Sequence, residues 1–205
     1  MKKIAWLFVV SLIVAGCSQA PGSKETGFHG LPWGADVATV AKTLKVAPNT
    51  TDADSLFAGY YQGSAPRQGT LMEKGFAKFL TGKSGANLDG VVALKGMSML
   101  DGGKDGYSLF FNGKFGMNLR PIPATEFQAD HSKLMKRYGV IDKKVEYQAN
   151  EYESAYFIQW HDADGVILLA KEVYMPGATP RTVTAAQIIH MDKRVFDTIS
   201  GELSN

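Results

Sequence analysis

The sequence predicts an α+β domain, an antiparallel sheet with a few amphipathic helices packed on one face. Three observations predict it. Apolar residues recur at helical spacing in short capped segments, as in Val37, Val40, Ala41 and Leu44. Alternating or continuous apolar runs of strand length, such as Tyr107 to Phe111 and Val166 to Tyr174, are bounded by Gly, Asn and Asp. The dipeptide Asn112-Gly113 joins two such runs and suits a two-residue hairpin, whose turn positions both need positive φ.

The elements follow in order from Phe28 to Gly34, where the fold begins. Asp36 can cap the first helix, because its carboxylate can accept from an orphan amide of the first turn. Pro48 and the cluster Asn49-Thr50-Thr51 are expected to stop it. Residues 55 to 120 read mainly as strands, at Leu56 to Gln62, Thr70 to Leu80, Gly90 to Met99 and the hairpin. Tyr107, Leu109 and Phe111 alternate before the turn; Phe115, Met117 and Leu119 alternate after it. A second helix is expected from a capping box of Thr125 and Gln128. Phe127, His131, Leu134 and Tyr138 fall on one face of it, basic residues load its last turns, and Gly139 ends it. Strands near Tyr152 to Trp160, Val166 to Tyr174 and Thr182 to Met191 come next. A last helix starts at Asp192 and buries Val195, Phe196 and Ile199 before Gly201. Helix followed by strands thus occurs twice. Residues 28 to 205 read as a single domain, with two similar halves that would meet near 121–125.

The chain begins differently. Lys2 and Lys3 precede the 12-residue apolar run Ile4 to Ala15, and small residues lead to Cys17, the chain's one cysteine. A charged start, a short apolar core and a small-residue cleavage site describe a secretory signal. The run is too short to span a hydrocarbon core, which needs about 20 residues. Val14-Ala15-Gly16-Cys17 resembles the lipobox of bacterial lipoproteins. That resemblance implies cleavage after residue 16, acyl chains (palmitate among them) on Cys17, and anchorage in a membrane. Ser18, where Asp would favour inner-membrane retention, implies the periplasmic leaflet of the outer membrane. The outer face of the inner membrane, or the surface of a single-membrane cell, are the alternatives. Two or more chains hold stably, since each buried methylene contributes about 0.8 kcal/mol. Residues 17 to 27 then form the lipidated cysteine and a flexible tether rich in Gly, Pro and Ser. The alternation of helix and strands resembles lipoproteins with a lobe like that of β-lactamase inhibitor proteins, a likeness that transfers no site.

Charge bounds the partners. Without Lys2 and Lys3, Lys plus Arg equals Asp plus Glu at 20 each. A neutral domain argues against nucleic acid, which selects a basic face. With Cys17 committed to lipid no internal disulfide can form, so stability must come from packing.

Motifs that invite chemistry have simpler readings. Gly82-Lys83-Ser84 looks like the end of a phosphate loop, but that motif needs Gly at position 77, where Ala77 stands, and a following helix. A surface turn between strands fits better. Asp162 and Asp164 could suggest calcium, yet an EF-hand would need ligands where Val166 and Val173 stand. His-Asp-Ala-Asp-Gly is also what a hairpin turn requires, with both carboxylates facing solvent. His29, His131, His161 and His190 lack zinc spacing; His131 lies on an apolar stripe, and His161 can pair locally with Asp162 or Asp164. No cofactor, metal ligand or catalytic residue is assigned. Lys133, Lys136, Arg137, Lys143 and Lys144 form a basic group that can contact an anionic surface or simply solvate a helix end. Trp33, Tyr60, Tyr61, Trp160 and Tyr174 suit a ligand groove or core packing.

Three functions stay open. The first is a non-catalytic binding or adaptor module of the cell envelope whose partner is another envelope protein. The second is a carrier of a small ligand or lipid in a cavity between sheet and helices. The third is an envelope hydrolase with a dispersed acid/base pair. A cavity, a pocket with convergent carboxylates, or an exposed apolar patch would separate them.

Overall fold

The structure is a computed structural model and describes residues 27–53, 71–85, 88, 94, 96–175 and 182–204. Cys17, Tyr60, Tyr61 and the strand expected at Leu56 to Gln62 lie outside the described residues, as does half of Gly90 to Met99; among the described residues of that segment only Ser98 and Met99 are in a strand.

Eight strands form one sheet among the described residues: β1 (Thr50–Asp52), β2 (Ser98–Asp101), β3 (Tyr107–Phe111), β4 (Lys114–Ile122), β5 (Lys143–Gln148), β6 (Glu153–His161), β7 (Gly165–Tyr174) and β8 (Thr182–Asp192). Their order is β1-β2-β3-β4-β8-β7-β6-β5, and every neighbouring pair is antiparallel. The sheet is therefore two four-stranded meanders joined at their last strands, β4 against β8. Helix α1 (Val37–Leu44) precedes the first meander, and α3 (Phe127–Tyr138) precedes the second. Helix α2 (Leu71–Thr81) lies between β1 and β2, and α4 (Lys193–Ser204) follows β8. The α+β class and the helix-then-strands order of both halves are those read from the sequence.

The helices cover both faces, where one face was expected. Successive strand residues point to opposite sides. Phe157, Leu168, Ile189 and Met191 pack with Phe79 of α2 and Ile199 of α4. Their neighbours Ile158, Ile167, Leu169 and Ile188 pack with Phe127 and Leu134 of α3, while Leu100, Phe110 and Phe115 pack with Val40 and Ala41 of α1. The cause lies in the central strands. Residues 165–170 are buried without interruption, so neither side of β7 can face water.

The expected strand at Thr70 to Leu80 is helix α2. Met72, Phe76, Phe79 and Leu80 are spaced i, i+4, i+7 and i+8, and all pack into one cluster. Residue 75 must be small: a Cβ there would meet Phe157 at 2.7 Å and Ala155 at 2.8 Å. Gly82, at φ 74°, then ends the helix as its N–H reaches the Lys78 carbonyl. The Gly82-Lys83-Ser84 turn accordingly follows a helix, where a turn between strands was expected.

The first helix matches its reading, with Asp36 Oδ1 accepting from Thr39 N at 2.8 Å. Its stop comes earlier than Pro48: Lys45 turns left-handed and the Val46 N–H closes onto Ala41 O. The capping box of Thr125 and Gln128 does not form. Pro123 instead starts a 3-10 turn, Ala124–Glu126, that leads directly into α3, and no side chain caps its first turn. The Asn112-Gly113 hairpin is present with both residues at positive φ. The alternation after it breaks at Phe115, which turns to the face opposite Met117 across a bulge in the β3–β4 register. Gly116 permits this, since a Cβ there would strike Phe111 and Val195. Asp192 closes β8 and accepts from Arg194 N, starting α4 as expected; α4 continues through Gly201 to Ser204. Strand β5 was not foreseen. Its charged residues alternate with Val145 and Tyr147 on the sheet's outer strand, and such charges protect an exposed edge.

Candidate functional site

The structure disperses the basic group. Lys133 pairs with buried Asp130 at 2.9 Å, and Arg120 approaches the same carboxylate at 3.6 Å. Lys136 is exposed at the end of α3, and the Arg137 guanidinium lies 5.2 Å from the Tyr138 ring centroid. Lys143 leaves on the α2 side, donating to the Phe79 carbonyl with its ammonium 4.5 Å from the Phe79 ring centroid. Lys144, one residue on, points to the other face. Strand alternation alone separates neighbours that read as one patch.

Lys144 opens a site that no motif announced. Helix α3 covers the sheet around Trp160, Ile167 and Ile188. Beyond its first turn the same face holds a cavity of about 260 Å³ lined by Lys144, Tyr156, Ile158, Lys171, Val173 and Val183. Strand pairing places these residues: Lys144 lies opposite Ile158, Tyr156 opposite Lys171, and Val173 opposite Val183. The Lys171 ammonium sits 4.4 Å from the Phe127 ring centroid and 5.2 Å from that of Tyr156. Cations favour such positions over aromatic faces. The Tyr156 hydroxyl donates to Glu146 Oε1 at 2.5 Å, which fixes its ring and sets one carboxylate beside the cavity. His131 stands next to it, stacked on Phe127 and tilted toward Trp160. Burial, then the charges of Lys171 and Lys144, hold its pKa below the ordinary histidine value. The lining thus offers two ammonium groups over an apolar wall.

His29 is exposed, its ring 4.2 Å from that of Phe28, whereas His161 and His190 are held in the fold. His161 does not pair with Asp162 or Asp164. Its Nδ1 lies 2.9 Å from Asp142 Oδ2, and its Nε2 lies 2.9 Å from Gln159 Nε2. His190 is partly buried, 5.1 Å from the Phe28 ring. It continues a polar row across the sheet with Asn118 and Ser108, its successive strand partners. Burial first, then His29, Arg137 and Arg120, push its pKa down to about 3. Asn118 donates to the Asp105 carbonyl, while its Oδ1 and the Ser108 hydroxyl are buried without a partner among the described residues.

Asp162 and Asp164 form a turn, but Asp164 does not simply face solvent. Its Oδ1 accepts from Gly27 N at 3.1 Å and from Trp33 Nε1 at 3.2 Å, tying the start of the fold to the β6–β7 turn. Asp162 Oδ1 accepts from Ala163 N. Among the described residues no three His, Cys, Asp or Glu side chains are grouped to hold a metal ion. No helix among them is long and apolar enough to cross a membrane. Of the aromatic candidates, Trp160 is fully buried, Trp33 packs on Phe115, and Tyr174 is 42% exposed. No family model, curated protein or solved structure matches this chain.

Proposed function

We propose that this chain is an exported binding module, anchored through lipid on Cys17, that receives its ligand in the cavity beside α3. The cavity carries the reading: Tyr156, Ile158, Val173 and Val183 line it with their largely buried side chains, and two lysines stand beside them. Small-ligand sites are concave and mainly apolar with a few polar groups, and this lining has that composition. Among the functions open from sequence, it supports the ligand carrier over the protein adaptor.

The described start of the chain gives the site an orientation. Gly27 is held at Asp164, at one end of β6 and β7. Tyr156 lies five residues from His161, and Lys171 six from Gly165, so the cavity lies about 17–20 Å along the sheet from that end. A tether leaving Gly27 toward a membrane would start at the end of the sheet remote from the cavity. One observation favours the adaptor as second reading: Tyr152 and Tyr174, 43% and 42% exposed, lie at the cavity end of β6 and β7. Exposed aromatics of this kind are enriched at interfaces.

Mass spectrometry of protein extracted from its native membrane tests the anchor. Cys17 is expected as the N-terminal residue carrying acyl chains, with Cys17→Ser abolishing them; a free thiol on Cys17 would overturn the localisation. Crosslinking in the native envelope separates the two binding readings: a protein captured through Tyr152 or Tyr174, with the cavity residues dispensable, would favour the adaptor.

A further inference from the structure

Resting on the cavity as the binding site, we propose that its ligand is an anionic amphiphile, a phosphate or carboxylate on a short hydrocarbon body. The two halves of that description come from different residues. Lys144 on β5 and Lys171 on β7 flank β6, two strand spacings apart and two residues out of step, because Lys144 faces Ile158 and Lys171 faces Tyr156; their backbones are therefore about 12 Å apart. Side chains of that length can converge on one anion from both sides. Glu146 adds one negative charge nearby, bonded to the Tyr156 hydroxyl, and the pair of ammonium groups outweighs it. Glu172, the carboxylate next to Lys171 in sequence, belongs to the opposite face, where it accepts from Met72 N of α2.

The remaining lining residues ask for hydrocarbon. Ile158, Val173 and Val183 offer no polar side-chain atom, and Tyr156 directs its hydroxyl to Glu146. A hydrated inorganic ion would leave that wall against water; an uncharged alkyl group would gain nothing from the lysines. An amphiphile satisfies both. Size sets the rest. About 260 Å³ falls below the roughly 300–1,000 Å³ of sites for drug-sized ligands, so the cavity suits a small molecule or the end of a longer one.

The test uses the whole chain purified from its host and held in phosphatidylcholine nanodiscs. Radiolabelled hexyl phosphate, inorganic phosphate and hexanol are compared by equilibrium dialysis against empty nanodiscs. Hexyl phosphate is expected to bind saturably, one per chain, and about tenfold or more tighter than either comparator, as one lost charge-assisted contact would predict. Lys144→Met and Lys171→Met, which keep the apolar stems, should each weaken it by about tenfold, with Lys171→Arg retaining most of the binding. His131 supplies a second readout. An anion beside Lys171 and Lys144 offsets their repulsion, so the His131 ring, followed by NMR, should titrate at higher pH when hexyl phosphate is bound.

Hexanol binding as tightly, with the lysine variants unchanged, would overturn the anionic class and leave the cavity as a site. Inorganic phosphate binding as tightly would overturn the amphiphile. If a folded chain binds none of the three, the cavity reading falls with the inference. Competition by phosphatidylglycerol added to the nanodiscs would assign the anion to a bilayer lipid; its absence would assign it to a free amphiphile.

Discussion

Replacing Asp164 isolates the contact that ties the start of the domain to the β6–β7 turn. One carboxylate oxygen accepts from both Gly27 N and Trp33 Nε1, at 3.1 and 3.2 Å. Asp164→Ala removes both bonds. Each ordinary hydrogen bond contributes about 0.5–1.5 kcal/mol net, and those to charged groups more. Trp33 and Gly27 are only partly buried, so water can reach the freed donors and the loss stays within the sum for two ordinary bonds, about 1–3 kcal/mol and centred near 2. For a domain of this size that is a fall in Tm of about 4–8 °C. Asp164→Asn keeps an acceptor oxygen within reach of both donors, and should cost less than half as much. Urea unfolding followed by tryptophan fluorescence measures both variants, since Trp33 reports the contact and buried Trp160 the core. If Asp164→Ala lies within about 0.5 kcal/mol of the parent, as surface substitutions do, the carboxylate does not hold the segment. Calcium supplies a control. The double variant Asp162→Asn, Asp164→Asn keeps turn chemistry and removes both charges, and calcium should not raise the Tm of the parent. A calcium-dependent shift lost in the double variant would refute the turn, because a bound ion stabilises by mass action.

Two further predictions concern the core and pH. Leu134 is buried on the inward face of α3, so Leu134→Ala should cost about 2–5 kcal/mol in the same unfolding assay, and a loss below about 0.5 kcal/mol would mean that this face does not pack. His190, with its pKa lowered to about 3 from 6.5, binds fewer protons folded than unfolded between those values. Its contribution is therefore fully present above pH 6.5 and lost as pH falls from 6.5 toward 3. A His190→Gln variant should show a shallower loss over that window, and NMR should find no titration of the parent's His190 ring near its ordinary value.

Local signals were legible and pairing signals were not. The Asp36 cap, the Asn112-Gly113 turn and the apolar runs of β6, β7 and β8 depend on a few adjacent residues, and each element formed where those residues stand. Helix α2 departs from the expected strand although its stripe is present, because Gly75 in its interior disfavours a helix and Phe76 and Phe79 suit strands. The continuous apolar run Val166 to Ala170 carries the signal for cover on two faces, which the expectation of one covered face left unused. The capping box failed because Pro123 set the path of the chain before Thr125 could act.

The site was hidden for a different reason. Lys143 and Lys144 are neighbours in sequence, but β5 sends one to Phe79 of α2 and the other to the cavity beside α3. Lys171 and Tyr156 are fifteen positions apart and become partners only through the β6–β7 register. The Asp164 contact joins residues 131 and 137 positions apart, and His161 finds Asp142 nineteen positions away. By itself the sequence determined what depends on spacing along the chain: helix stripes, turn residues, and the charged, apolar and small-residue pattern that ends at Cys17. Tertiary structure alone decided which side chains meet. Strand register and the placement of α3 bring Lys144, Lys171 and an apolar wall together, and neither leaves a periodic mark in the sequence.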